Sequence, residues 1–243
     1  MWTLFKKEIQ GFFSSFTAYV VILVFLLANS SFIWLFRNPM NLIENGYASL
    51  ESLFVLAPWI FLFLVPAITM RMISEEKRSG TMDLLWTRPV SEFQIIFAKF
   101  LASWALVLFS LLPTLIYFLS VSRLGSPPGN MDIGGTWGSY IGLLFLGGIY
   151  AAIGIFASSL TGNQIVAFII AVFLSFLMYL GFEFLSGIAE SGSTVFMISR
   201  LGISYHYNSI SRGVIDSRDM LYFAGVILLF IVGTRTVLQS SKW

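Results

Sequence analysis

Residues 70–90 read MRMISEEKRSGTMDLLWTRPV, Met70 to Val90, the longest strongly polar run between two membrane-length apolar segments. The stretch carries Arg71, Glu75, Glu76, Lys77, Arg78, Asp83 and Arg88, in a chain of which only 11% of residues are charged. A polar island between two spans is a loop that works in water, and its cationic excess places it on the cytoplasmic side. Ser79-Gly80 can break the helix that leaves the membrane. Thr81 is then an N-cap, with Asp83 in the first turn, where a carboxylate suits the helix dipole. Met82, Leu84, Leu85 and Trp86 supply apolar contact area. Pro89 stops the short helix, and Ser91-Glu92-Phe93-Gln94 reads as a capping box opening the next one. Two readings of this short helix stand side by side. One is an interfacial helix with Trp86 resting at the headgroups. The other is a docking knob whose apolar residues anchor a soluble partner.

The surroundings of the island settle the fold class. The chain has 243 residues and is 57% hydrophobic, whereas soluble domains carry about 25% charged residues to cover their surface. Its apolar runs are long and unbroken, which points to an all-α polytopic membrane protein and away from a barrel, whose strands alternate. One transmembrane domain, 1–243, is the natural division. With no cysteine there is no disulfide framework or thiol chemistry, and one histidine, His206, leaves no zinc site of the usual kind. The start, MWTLFKKEIQGFF, is not a typical cleavable signal peptide.

Six spans are expected, at about 16–36, 53–73, 95–120, 137–160, 165–187 and 220–237. An amphipathic stretch at about 2–13 precedes them. Trp2, Phe5, Ile9, Phe12 and Phe13 fall near one face and Lys6, Lys7, Glu8 and Gln10 mostly opposite, as in a helix lying at the membrane interface with its lysines toward anionic lipid. A plain extension of the first span is the other reading. Pro58 and Pro66 are expected to kink the second span, tolerated where neighbouring helices satisfy the freed carbonyls. Gly134, Gly138 and Gly142 lie four apart at the start of the fourth span, and Gly147, Gly148, Ala151, Ala152 and Gly154 follow. Small residues at this spacing let backbones approach closely, within the subunit in preference to between copies. Six spans put both termini on one side. The cytoplasmic set would then be Lys6, Lys7, Arg71, Lys77, Arg78, Arg88, Lys99, Arg235 and Lys242, against Arg37, Arg123, Arg200, Arg212 and Arg218 outside, so both termini are expected in the cytoplasm.

The run Glu-Glu-x-x-x-Gly-Thr-Met-Asp-x-Leu-x-x-x-Pro-Val, Glu75 to Val90, resembles the cytoplasmic loop of type-2 ABC transporter permeases, and the layout fits that family along nearly the whole chain. FKKEI (Phe5 to Ile9), SSLTGNQ (Ser158 to Gln164) and YHYNSISRGVIDSRD (Tyr205 to Asp219) are similar to segments of the gliding-motility ABC transporter permeases of Bacteroidetes-type bacteria. The resemblance implies an exporter permease of the inner membrane. Its coupling loop, with Glu75, Glu76, Gly80, Thr81, Met82, Asp83, Leu84, Leu85, Trp86 and Pro89, would dock on a separate ATP-binding subunit. It also implies a second transmembrane subunit, the same chain or a related one, and an outer segment, 186–219, whose short helices dip back into the membrane.

No Gly-x-x-x-x-Gly-Lys-Ser/Thr loop occurs, so the chain is not expected to hydrolyse ATP. The resemblance implies that it holds no cofactor of its own and that ATP and Mg belong to the partner ATPase. Glu183 is an intramembrane carboxylate and a functional candidate by default, although it lies about a turn from the outer end, where it can snorkel to the interface. His206 reads either as a pH sensor or as an interfacial polar contact. Arg212 and Asp216, with Arg218 and Asp219, could form a local charge network. Nothing supports nucleic-acid binding. Two further classes stay open beside the permease: a membrane scaffold that passes ATP-driven movement to an envelope machine without moving a substrate, and an intramembrane enzyme built around Glu183. The turn at Ser158 to Gln164 is either a second partner contact or a tight helical hairpin.

Overall fold

The structure is a computed structural model in which residues 1–82, 91–188 and 192–240 are described, apart from the side chain of Asn45. Among them there is no strand. Six helical segments are long and apolar enough to cross a membrane: Thr17–Leu35, Glu51–Arg78, Glu92–Leu124, Ile133–Leu160, Gln164–Ile188 and Ser217–Ser240. They fall on the six expected spans; the last five run somewhat longer than expected, because polar residues at the ends cap the helices without contributing to apolar runs, while the first, Thr17–Leu35, falls just inside 16–36.

Helix α1, Trp2–Ser14, lies before the first span, as its amphipathic pattern implies. The face carrying Phe5, Ile9, Phe12 and Phe13 packs on the core, while Trp2 is exposed. Helix α2, Thr17–Ser30, continues through a π turn, Ser31–Leu35. Asn38 and Asn41 close its end, their side-chain amides donating to the Phe36 carbonyl at 3.1 and 2.9 Å. A short helix α3, Leu42–Asn45, leads to α4, Glu51–Thr69.

Pro58 and Pro66 lie inside α4, and neither interrupts it. The carbonyl that Pro58 frees is that of Phe54, and the hydroxyl of Tyr207 donates to it at 2.8 Å from another helix. The expected tolerance therefore comes from a neighbour, since a freed carbonyl in an apolar bundle needs a donor. The helix stops only after Thr69, turns at 70–73 and resumes as α5, Ser74–Arg78.

Helix α6, Glu92–Leu111, opens on the expected capping box: Ser91 Oγ accepts from Gln94 N and the Gln94 side chain accepts from Ser91 N. Pro113 introduces a 3-10 turn, Leu112–Thr114, before α7, Leu115–Leu124. Helix α8, Ile133–Leu160, is the centre of the bundle. Its most apolar window is 78% buried, against 28%, 22% and 28% for the first, fifth and sixth spans, which therefore present most of their surface to lipid.

The small residues of α8 make that central position possible. A Cβ at Gly138 would come within 2.5 Å of the Ile210 carbonyl, one at Gly147 within 2.5 Å of Val107, and one at Gly154 would overlap Thr69. The stripe packs against this chain's own helices. Around α8 stand α4, α6, α9, Gln164–Phe176, α12, Ile203–Ile210, and α13, Ser217–Ser240; α9 passes through a π turn, Leu177–Gly181, into α10, Phe182–Ile188, on which α11, Gly192–Ser199, packs. Helix α12 is tucked into the bundle, with Ile203, Ser204, His206, Tyr207 and Ile210 buried.

Candidate functional site

Two polar regions stand out, one at each end of the bundle. The first is the base of the 70–90 segment. The break at 70–73 strands the amides of Ile73 and Ser74, and Ser158 Oγ, at the last turns of α8, accepts from both at 3.0 and 2.9 Å. The same hydroxyl donates to the Met70 carbonyl at 2.9 Å, so one side chain uses its donor and both its acceptor sites. Lys77 Nζ donates to the Ser159 carbonyl at 2.6 Å. Ser158 and Ser159, of the SSLTGNQ turn, are thereby spent on contacts within the chain, and Asn163 caps α9 by accepting from Ile165 N at 2.9 Å.

On the other side of α5 lies a buried ion cluster. Lys99 of α6 is 3% exposed. Its Nζ donates to Glu8 Oε1 of α1 at 3.0 Å and to Glu76 Oε1 of α5 at 2.7 Å. An ammonium in an apolar setting is costly unless paired and hydrogen-bonded, and here two carboxylates from distant parts of the chain share it. Beside the cluster is a cleft of about 360 Å³ lined by Lys7, Arg71, Glu75, Ser79 and Thr81 among others. The Arg71 guanidinium lies 5.8 Å from the Phe12 ring centroid.

Of the expected docking residues, Glu75 is exposed on this cleft and Glu76 is half-hidden in the cluster. Gly80 has φ +69°, a left-handed turn that glycine adopts without strain and that ends α5. Thr81 and Met82 are already helical, so Thr81 does not occupy the expected N-cap position; its hydroxyl meets that of Ser79 at 2.8 Å. Met82 is buried in the core and is not available as an anchor, because the first residues after Gly80 fold back onto the bundle. Asp83, Leu84, Leu85, Trp86 and Pro89, with Val90, lie outside the described residues.

At the opposite end a cleft of about 560 Å³ is lined by Glu51, Trp59, Asp132, Glu183, Tyr207 and Arg212 among others. Glu183 is exposed there, and Ser204 Oγ donates to its Oε2 at 3.3 Å. His206 is buried elsewhere: Nδ1 is 2.6 Å from Asp219 Oδ1, Nε2 is 2.8 Å from the Arg200 carbonyl, and the ring stacks on Tyr222 at 3.8 Å. Both ring nitrogens thus face oxygens, one the Asp219 carboxylate and the other the Arg200 carbonyl. His206, read from the sequence as a pH sensor or an interfacial polar contact, is buried in a pair with Asp219. Among the described residues no ion pair joins Arg212 to Asp216 or Asp219. Arg212 is exposed, and Asp216 caps α13, its Oδ1 accepting from Arg218 N at 2.9 Å. Burial pushes the Tyr207 phenol far above its ordinary range, so it stays a donor to Phe54.

Sequence reasoning gave no site role to Glu8, Lys99 or Tyr207, and it placed Ser158 only in a turn and Asp219 only in a charge network with Arg212, Asp216 and Arg218. Only Lys99 carried a signal, as a lone cation inside the apolar run IIFAKFLASW, which marks a paired intramembrane charge. The rest depend on tertiary neighbours.

A family model described as ABC-2 family transporter protein matches residues 8–233. No curated protein matches the chain at a significant level.

Proposed function

The chain belongs to the ABC-2 family of transporter proteins, and on that premise we propose that it is the membrane-spanning permease subunit of an ATP-driven type-2 exporter. Its six apolar helices make it a multi-pass membrane protein, and permeases of this family work with ATP-binding subunits. Coupling through the 70–90 segment is supported by one observation above others. The base of that segment is bound on one side to Ser158 and Ser159 of α8 and on the other to Lys99 of α6, whose ammonium also donates to Glu8 of α1. A push delivered there reaches three helices at once, which an idle surface loop would not need.

In this reading ATP and Mg bind in the partner, both ends of the chain face the cytoplasm, and the membrane is the inner membrane. A second membrane subunit, a copy or a relative, completes the transport path. Service in gliding motility rests on the likeness of FKKEI, SSLTGNQ and YHYNSISRGVIDSRD to permeases of that kind. The last segment is internally tied through His206 and Asp219, so its two ends act as one structural unit.

The test is purification of the tagged chain from native membranes in mild detergent, beside a chain carrying Asp83→Lys and Trp86→Ala. An ATP-binding subunit is expected in stoichiometric amount with the natural chain and lost with the variant. Equal recovery with both would show that the segment is not the docking element, and recovery with neither, even after crosslinking, would sink the permease reading.

A further inference from the structure

We propose that the cleft of about 560 Å³ at the end of the bundle opposite the 70–90 segment is a binding site for an organic ammonium ion that carries an apolar chain. Charge is the first ground. Glu51, Asp132 and Glu183 line the cleft against one guanidinium, that of Arg212. Among the described residues none of these four is in an ion pair, so the cleft keeps an excess of negative charge. The second ground is aromatic. Trp59 of α4 and Tyr179, in the π turn after α9, meet edge-on, with ring centroids 6.1 Å apart and planes at 78°. Glu183 follows Tyr179 by about a turn. Two rings set nearly at right angles beside a carboxylate make a corner that attracts a cation both by its π faces and by its charge.

The third ground lies beneath that corner. Tyr150 of α8 is fully buried with its ring 6.4 Å from that of Tyr179, and its hydroxyl has no hydrogen-bond partner among the described residues. Helix α8 begins at the cleft, with Asp132 as its cap, and side chains on a helix lean toward its N-terminus. The Tyr150 hydroxyl is therefore aimed outward, among the phenols of Tyr179 and Tyr207, which line the cleft. A buried hydroxyl without a partner is unfavourable. An ammonium N–H supplies the missing donor, which a quaternary nitrogen does not. The apolar chain of the ligand has its own place. A second cleft, of about 520 Å³, shares Ser49, Glu51 and Val55 with the first and is walled by Pro39, Met40, Leu42 and Tyr47. The ammonium sits against Trp59, Tyr179 and Glu183, and the chain crosses Val55 into this neighbour.

The probe is octylammonium, titrated calorimetrically into the whole chain in dodecyl maltoside, with protein-free micelles as the reference. Saturable binding above the reference is expected, and octyl sulfate should give none. Glu183→Gln and Trp59→Ala should each weaken octylammonium about fivefold or more. Tyr150→Phe removes only an unpaired hydroxyl, so it should keep its thermal stability while losing affinity for octylammonium. Octyltrimethylammonium, which has no N–H, should bind this variant and the natural chain alike. Phosphatidylethanolamine added to the micelles should compete if the ammonium comes from a lipid headgroup, and leave binding unchanged, as phosphatidylglycerol does, if it comes from water. Absence of saturable octylammonium binding would overturn the site without any variant that folds poorly, and so would equal binding of octyl sulfate. Unchanged affinity in both Glu183→Gln and Trp59→Ala would put the ligand elsewhere and overturn it too. Unchanged octylammonium affinity in Tyr150→Phe would overturn the role given to the buried hydroxyl. Binding to the lone chain needs no ATP-binding subunit, so the result stands apart from the coupling reading.

Discussion

The hydroxyl of Tyr207 donates at 2.8 Å to the carbonyl that Pro58 deprives of its helical N–H, Phe54 O. Both groups are buried, so the bond matters more for what its absence would strand than for its own strength. Tyr207→Phe should cost about 1–3 kcal/mol, the penalty of an unsatisfied buried polar group. Pro58→Ala returns an N–H to the Phe54 carbonyl, and in that background the same change should cost distinctly less. Thermal unfolding of the two single variants and the double variant in one detergent gives the coupling. Simple additivity would show that the hydroxyl is not standing in for the proline's missing donor. Pro58 was readable as a place needing help; the helper, 149 positions further along the chain, was not. His206 has the same lesson. Between Tyr205 and Tyr207 in an outer segment it reads as an interfacial group, and only the packing of α12 against the first turn of α13 puts it on Asp219.

At the scale of elements, the glycines of α8 decide where the central helix can lie. Gly154 sits where a methyl group would overlap Thr69, whereas nothing lies within 4 Å of a Cβ at Gly225 of α13. Gly154→Ala should therefore destabilise by about 1–3 kcal/mol through overpacking. Gly225→Ala should be neutral or slightly stabilising, since alanine is the better helix former by about 0.5–1 kcal/mol. Unfolding in sodium dodecyl sulfate titrations ranks the two, and equal effects would contradict the close contact of α8 with α4. The stripe of small residues was legible as a site of close approach, but spacing alone does not say to what. The capping box at Ser91 and the helix stop at Gly80 were legible because both are local: the partner atoms lie within three or four residues. The break at 70–73 was not, because the hydroxyl that fills it comes from Ser158. Met82 was misjudged for the same reason. Its apolar side chain suits an anchor or a core equally, and the turn at Gly80 sends it to the core.

For the whole molecule, the number of spans and their order were written in hydropathy, while the division between inner and lipid-facing helices was not. The first and fourth spans look alike in hydropathy, with means of 2.2 and 2.0, yet 28% of the apolar window of one and 78% of that of the other is buried. What separates them is the density of glycine and alanine, which permits neighbours on every side of α8. Six spans also make a strong statement about sidedness. Ser79, beside the ion cluster, and Gly162, in the turn after α8, must lie on one face of the membrane, and Gly129 and Arg212 on the other. Single cysteines at these positions, exposed at Ser79, Gly129 and Arg212 and half-buried at Gly162, introduced into a chain that has none, can be probed with a membrane-impermeant maleimide in intact and in permeabilised cells. The excess of Lys and Arg near Ser79 and Gly162 favours retention of that face in the cytoplasm. On the proposed inner-membrane location, Gly129→Cys and Arg212→Cys should then react once the outer membrane is opened. Ser79→Cys and Gly162→Cys should react only after the inner membrane is breached. Reaction of all four from one side would break the six-span arrangement. Reaction in the reverse order would keep the fold but turn the 70–90 segment, and with it the face on which Lys99, Glu8 and Glu76 meet, away from any cytoplasmic ATPase.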